Sequence, residues 1–243
     1  AWTTGFRLVG HVQNRGPVMT NSLLTLFARK VLQRCPGTFP KALSPIDSGT
    51  PVRREVAEIP EPRTRMAGRE GPVRVLITGG SQGAQVLNLV VPAALKRVAE
   101  SIDIEIHHQA GAKRVDEAVQ SYAAAGVDAD VQPFIKDMAK AYAWADLVIC
   151  RSGALTVAEL AAAGVASVLV PFAHAVDDHQ TRNAEYLSEA NAAIILSQAS
   201  LEPESLAKIL KPLLSDRAVL LSMAESARQM ALPNAAESVV EAC

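Results

Sequence analysis

The sequence predicts an α/β chain built on a doubly wound parallel sheet, with a front segment of different character. Three observations carry this. From residue 72 on, short apolar runs alternate with alanine-rich stretches of helical period, the pattern of a parallel sheet covered on both faces. The chain has 243 residues, 49% hydrophobic and 20% charged, enough for one or two globular domains with a large core. Two small-residue turns each stand between a strand pattern and a helix pattern, where such sheets bind ligands.

Strands are expected at 73–77, 102–107, 131–134, 147–150, 167–170 and 192–196. Helices are expected at about 84–100, 112–125, 137–144, 154–163 and 178–190, then near 203–215 and 217–231. Six strands in this rhythm suit a Rossmann-like domain over about 73–230. Residues 153–173 carry one charge, Glu159, and imitate a membrane span. Gly164 and Pro171 interrupt the stretch, and Val165, Val168, Leu169 and Val170 are β-prone, so it reads as a buried helix, a turn and a core strand. In front, 6–10 reads as a strand and 19–30 as a helix. A Pro- and Gly-rich passage follows at 35–62, and 63–71 reads as an exposed basic linker. The opening Ala1-Trp2-Thr3 has no initiator Met and runs almost directly into a strand, so the chain is expected to begin inside a larger domain. Residues 233–243 are expected to be helical.

Composition narrows the function. Aromatics are 4%, too few for a base-stacking platform, so no nucleic-acid partner is expected. Cys35, Cys150 and Cys243 are scattered without a CxxC pair and read as reduced thiols. Charge is uneven. Through residue 80 there are 12 Lys+Arg against 5 Asp+Glu, and beyond it 12 against 20. A basic front suggests phosphates or a lipid surface nearby, or simply a solvated face. No stretch has the pattern of a signal peptide.

Four motifs bear on chemistry. Thr78-Gly79-Gly80-Ser81-Gln82-Gly83-Ala84 follows a strand and opens a helix. Its glycines let backbone approach an anion, and the helix start offers free N–H groups. A short-chain dehydrogenase turn is similar, but its last glycine position is Gln85 here. Its YxxxK pair is also absent: Tyr122, Tyr142 and Tyr186 are followed four residues later by Gly126, Asp146 and Ala190. The second motif runs from Cys150 to Glu159 (CRSGALTVAE). Ser152 is expected to cap the helix, and Ala154 to Thr156 to form its first turn. Glu159, in apolar surroundings, needs partners: ribose hydroxyls, or an arginine. The third, His174 to Gln180 (HAVDDHQ), is polar and follows a strand. Its spacing matches no zinc pattern, so no metal is expected, and His and Gln suit sugar hydroxyls. His107 and His108 point to opposite faces of a strand and are read as structural. The fourth, Gly49-Thr50-Pro51-Val52-Arg53, places Arg53 to reach a diphosphate, or to remain a surface arginine.

Taken together, these segments resemble the bacterial MurG family, the UDP-N-acetylglucosamine–N-acetylmuramyl-(pentapeptide) pyrophosphoryl-undecaprenol N-acetylglucosaminyltransferases. The match rests on 79–84 (GGSQGA), 134–139 (FIKDMA), 142–146 (YAWAD), 150–159 (CRSGALTVAE), 178–180 (DHQ) and 49–53 (GTPVR). Val12 stands where the family usually has Glu, and Thr50 where it has Asn. The resemblance implies a GT-B fold, of which this chain holds the C-terminal donor domain and a remnant of the N-terminal domain. The implied division is 1–52 (end of the acceptor domain and hinge), 53–232 (UDP-sugar-binding domain) and 233–243 (a helix returning toward the N-terminal domain).

By the same resemblance, the Ile135 backbone reads the uracil edge and Glu159 holds the ribose. Ser81, with Gly80, Gln82 and Gly83, takes a phosphate, and Arg53 lies near the diphosphate. Ala154, Leu155 and Thr156 face the diphosphate and sugar, with Ser152, Gly153, Val157 and Ala158 completing the contacts. Gln180, with His179, binds GlcNAc hydroxyls, and Asn14 approaches from the other domain. The implied reaction is inverting transfer of GlcNAc from UDP-GlcNAc to the MurNAc 4-hydroxyl of lipid I, without cofactor, on the cytoplasmic face of the bacterial inner membrane. The family's GGTGGH segment has no counterpart in the chain, so the catalytic base is expected outside it. Two alternatives remain at this stage: a donor-binding fragment without turnover, and a related UDP-GlcNAc epimerase.

Overall fold

Two parallel sheets organise the chain. The computed structural model describes residues 8–15, 23–25, 27–35, 37–80, 83–172 and 178–243. The first sheet holds β1 (Val9–Val12), β2 (Lys30–Gln33) and β3 (Ile46–Asp47), in that order. Two short helices, α1 (Arg54–Ala57) and α2 (Pro62–Met66), lead into the second sheet. Its strands are β4 (Val73–Thr78), β5 (Ile104–Gln109), β6 (Asp130–Gln132), β7 (Leu147–Cys150), β8 (Ala166–Leu169) and β9 (Ala193–Ile195). The helices between them are α3 (Gln85–Ala99), α4 (Val115–Ala125), α5 (Met138–Trp144), α6 (Ala154–Ala163) and α7 (His179–Ser188). Then follow α8 (Pro203–Leu214), α9 (Arg217–Gln229) and α10 (Ala235–Ala242).

The second sheet runs β6-β5-β4-β7-β8-β9, every pair parallel. This is the doubly wound order, with its reversal between β4 and β7. Thr78 lies beside Cys150 there, so the turns after these two strands leave the sheet side by side.

The central strands β4, β7 and β8 are largely apolar on both faces because both faces are covered. Val75, Ile77, Leu147, Ile149 and Val168 enter one core cluster, with Leu87, Val91, Leu95 and Val98 of α3 and Leu206 and Leu210 of α8. Leu76, Val148, Cys150 and Leu169 alternate to the other side and meet Val157 and Leu160 of α6. The stretch that imitates a membrane span is α6, a turn at Gly164 and β8, as its breakers require. Among the described residues no helix is long and apolar enough to cross a membrane.

Four front-end expectations change. Residues 63–71 are not an exposed linker. The Arg65 guanidinium donates to the carbonyls of Tyr142, Ala145 and Gly164, and Arg69 to those of Ala143 and Trp144 and to Asp146. The two arginines thus satisfy carbonyls that the end of α5 leaves without helical partners. Burial lowers the Arg65 pKa to about 10. Lys30, expected to end a helix, opens β2 instead. The first strand is Val9–Val12 rather than 6–10, and residues 1–7 lie outside the described residues. The passage at 35–62 contains β3 and α1.

The expected helix at the C-terminus is α10. Gly49 in the hinge packs against the segment that leads into it: a Cβ there would come within 2.8 Å of Leu232 Cβ and 3.1 Å of Ala235 Cβ.

His107 and His108 do face opposite ways. His107 stacks on Trp144 with ring centres 3.8 Å apart. His108 is fully buried and bonds the Tyr122 hydroxyl (3.0 Å) and the Asn88 side chain (3.1 Å). Burial lowers its pKa from 6.5 to about 4. Above pH 6.5 the imidazole is neutral folded and unfolded. As pH falls from there toward 4, the unfolded chain takes up a proton that the folded chain refuses, so stability falls. We expect a loss of about 2 kcal/mol by pH 5, from roughly 1.4 kcal/mol per pH unit over this window. Urea unfolding near pH 7 and pH 5 checks this: His108→Gln should lose distinctly less stability than the parent over the same interval.

Candidate nucleotide-sugar site

The glycine turn after β4 is held from below. Gly83 donates its N–H to Gly80 O (3.0 Å), and Gly80 donates its own to Thr78 Oγ1 (3.2 Å). Gly83 has φ +72°, and a Cβ there would overlap the Ala110 carbonyl, so the turn fits only glycine at this position. Ser81 and Gln82 lie outside the described residues. Gln109, at the end of β5, donates from Nε2 to Gly80 O and accepts the Ile135 N–H at Oε1, both at 3.0 Å. One side chain therefore sets the glycine turn and the 134–139 segment relative to each other. The Ile135 N–H is thus engaged within the protein.

The turn after β7 differs in detail from the expectation. Ser152 does not cap α6. Its hydroxyl donates to Gln180 O (2.8 Å), and Gly153 takes the cap position without a side-chain bond. Val157 N–H bonds Gly153 O, and its side chain is buried in the core. The amides of Ala154, Leu155 and Thr156 have no side-chain or intrahelical partner among the described residues. Three free N–H groups at a positive dipole end form an anion-facing surface. Leu155 is exposed there, while Ala154, Thr156 and Ala158 are half-buried.

Glu159, one turn deeper, is 4% exposed. Arg53 reaches its Oε1 through Nε (3.0 Å) and Nη2 (2.8 Å), and Tyr142 OH donates to Oε2 at 3.3 Å. So the arginine partner that the sequence left open is Arg53 itself, and in this structure the guanidinium sits on the carboxylate. Beside it is a cavity of about 350 Å³ lined by Arg53, Val56, Lys136, Asp137, Met138 and Ala139.

The third region starts α7. Gln180 Oε1 accepts the Phe172 N–H at 3.0 Å, leaving its amide NH₂ to donate. His179 is half-buried, and 173–177 lie outside the described residues. Asn183 donates to Asn14 Oδ1 (3.1 Å) and to Ser152 O (3.3 Å), and accepts the Arg15 N–H (2.8 Å). This brings Asn14, two residues past β1, against α7. Gly79, Gly83, Arg114, Arg151, Phe172 and Gln180 line a cavity of about 560 Å³. Arg151 donates to the Val170 and Pro171 carbonyls, both at 3.1 Å, and lies over the Phe172 ring. Among the described residues no group of three His, Cys, Asp or Glu is arranged to hold a metal ion.

Sequence reasoning missed Gln109, Asn183 and Arg151 as organisers of these loops. Gln109 was readable in principle: it ends the strand that the sequence stopped two residues short.

A reversed strand order, a glycine turn and an uncapped helix start on either side of it define a class: the Rossmann-like C-terminal domain of the GT-B kind. Residues 74–239 match the glycosyltransferase family 28 C-terminal domain. The chain belongs to this family. It is 56% identical, over 98% of its length and 55% of the relative's, to the UDP-N-acetylglucosamine–N-acetylmuramyl-(pentapeptide) pyrophosphoryl-undecaprenol N-acetylglucosamine transferase of Xanthomonas axonopodis pv. citri. It is 51% identical to the protein of the same name from Marinobacter nauticus, covering 100% of this chain and 67% of that one. The crystal structure of Acinetobacter baumannii MurG superposes with a TM-score of 0.87 at 40% identity, over 100% of this chain and 67% of that one. The chain thus spans a little over half to two thirds of the relatives it matches.

Proposed function

We propose that this chain is the donor-binding part of an inverting hexosyltransferase that moves GlcNAc from UDP-GlcNAc to the MurNAc 4-hydroxyl of lipid I in peptidoglycan synthesis. The observation that carries the reading is the pair of anion-facing turns at the switch point between β4 and β7, where doubly wound sheets bind nucleotides. Identity of 51–56% to transferases of this name supports the substrate pair.

The residues divide the work as follows. Uracil lies against 134–139, read by the Ile135 carbonyl. The diphosphate meets the amides of 154–156 and the glycine turn. GlcNAc faces Gln180, with His179 and Asn14 beside it. Charge grows on the departing UDP in the transition state, and the α6 amides with Arg53 are placed to stabilise it. Holding the donor fixed for attack supplies much of the rest. The base that takes the acceptor proton is assigned outside this chain.

In this reading Arg53 has two stations. It is about half exposed in its pair with Glu159, whose carboxylate is buried, so the guanidinium has solvent on one side into which it can swing. Arriving ribose hydroxyls replace it on the carboxylate, and the guanidinium turns to the diphosphate. The division at 52/53 and 232/233 fits the gap between the two sheets and the Gly49–Leu232 contact. The basic front fits a place against the anionic cytoplasmic face of the inner membrane, beside the lipid-linked acceptor.

Calorimetry with UDP, UDP-GlcNAc and NADH tests the site. The two uridine ligands should bind and NADH should not, and tighter NADH binding would end the glycosyltransferase reading. Mixing the chain with lipid I and UDP-GlcNAc then separates turnover from donor binding alone.

A further inference from the structure

Just after β2 lies a buried cation with no counter-ion among the described residues. Arg34 follows β2, and its side chain is fully buried. Nη1 donates to Ala154 O at 3.1 Å, and the guanidinium carbon lies 4.9 Å from the Tyr186 ring centre. Nη2 has no partner among the described residues, and no described carboxylate lies within ion-pair distance of Arg34. Thr50 Oγ1 is likewise buried and unpartnered.

Both residues line one cavity of about 310 Å³, the size of a small-molecule site. Its walls are otherwise mostly apolar: Val52 of the hinge, Ala161 and Ala162 of α6, and Ala231 and Leu232 before α10. Glu61 and Arg228 also line it, but they are engaged with each other at 3.2 Å. Among the described residues lining the cavity, Arg34 is therefore the charge left without an ion-pair partner. A buried guanidinium is rarely left without an anion, because its desolvation is otherwise unrecovered. Its planar donors match a carboxylate.

We propose that this cavity binds a small amphipathic carboxylate, with its head on Arg34 and Thr50 and its apolar chain between α6 and the 231–232 segment. An unbranched chain of about eight carbons suits this volume. The proposal concerns a second ligand and does not depend on the donor reading, although Ala158 of α6 lines this cavity as well.

Calorimetry of the full 243-residue chain with sodium octanoate, 1-octanol and sodium acetate tests it. Octanoate should bind at one site, at least tenfold more tightly than octanol, and acetate should give no measurable binding. Arg34→Met should reduce octanoate affinity at least tenfold, to the octanol level. It should not lower the melting temperature, since it removes an unpaired buried charge. Ala231→Leu, at a half-buried position, keeps Arg34 but narrows the cavity and should also weaken octanoate. If Arg34→Met does not fold, Ala231→Leu decides. Equal binding of octanoate and octanol, no octanoate binding by the parent, or unchanged affinity in the variant that folds would overturn the proposal.

Discussion

Replacing Asp146 by alanine is expected to cost about 3–5 kcal/mol of stability, the usual loss when one partner of a buried ion pair is removed. Asp146 is 1% exposed and its carboxylate is fully engaged. Oδ1 accepts from Arg69, and Oδ2 accepts from Arg217 and from the Arg74 backbone N–H, both at 3.0 Å. These partners come from the segment after α2, from α9 and from β4. One carboxylate thus ties the start of the main sheet to two flanking elements. Without it two guanidinium groups, Arg69 at 13% and Arg217 at 29% side-chain exposure, remain in place with their charge unbalanced. The effect should appear as an earlier urea midpoint at unchanged slope. Asp146→Asn should fall between, because it keeps the shape and an acceptor but not the charge. A loss below about 1 kcal/mol for the alanine variant, the scale of an exposed pair, would show that the network carries little.

The same region shows where the sequence is legible and where it is not. The core strands were readable because a strand buried on both faces is apolar at nearly every position. Val73, Val75, Leu76 and Ile77 satisfy that regardless of partner. Helix α6 was readable to the residue, since Gly153 and Gly164 bracket an uninterrupted run. Arg65 and Arg69 were misread because composition registers charge, not what meets it. Their partners are carbonyls about eighty residues away, created only when α5 ends beside them. The short strands β1 and β2 were shifted or missed because four residues that include Gly and His (VGHV) or Lys and Gln (KVLQ) give no periodic signal. The Arg53–Glu159 pair joins positions 106 apart. The sequence supplied both residues as site candidates, and the need of Glu159 for a partner, but not their mutual contact. Arg34 gave no signal at all: its burial follows from the packing of β2 against α6 and Tyr186.

Glu159→Ala is expected to weaken UDP binding tenfold to hundredfold. A carboxylate accepting ribose hydroxyls makes charge-assisted bonds of roughly 1.5–3 kcal/mol each. Part of that is spent on desolvation and on displacing Arg53, which leaves about 1.4–2.8 kcal/mol, or one to two factors of ten. The structure adds a second effect. Tyr142 is 1% exposed, and its hydroxyl donates to Glu159 Oε2. The alanine variant leaves that hydroxyl without an acceptor, so it should also lose about 1–3 kcal/mol of stability. The two effects separate through a companion variant. Arg53→Ala removes the half-exposed partner of a buried carboxylate, so it lowers ligand-free stability as well, but it leaves the carboxylate in place to take ribose. If Glu159 serves ribose, Arg53→Ala weakens UDP only through the lost diphosphate contact, and should weaken uridine hardly at all. Glu159→Ala should weaken UDP and uridine alike. If instead Glu159 exists only to seat Arg53 and Tyr142, Glu159→Ala lowers the melting temperature and leaves uridine affinity unchanged. Titrating UDP and uridine into both variants, with a ligand-free melting curve of each, distinguishes the two. Unchanged uridine affinity in Glu159→Ala would move the ribose away from Glu159 and the start of α6.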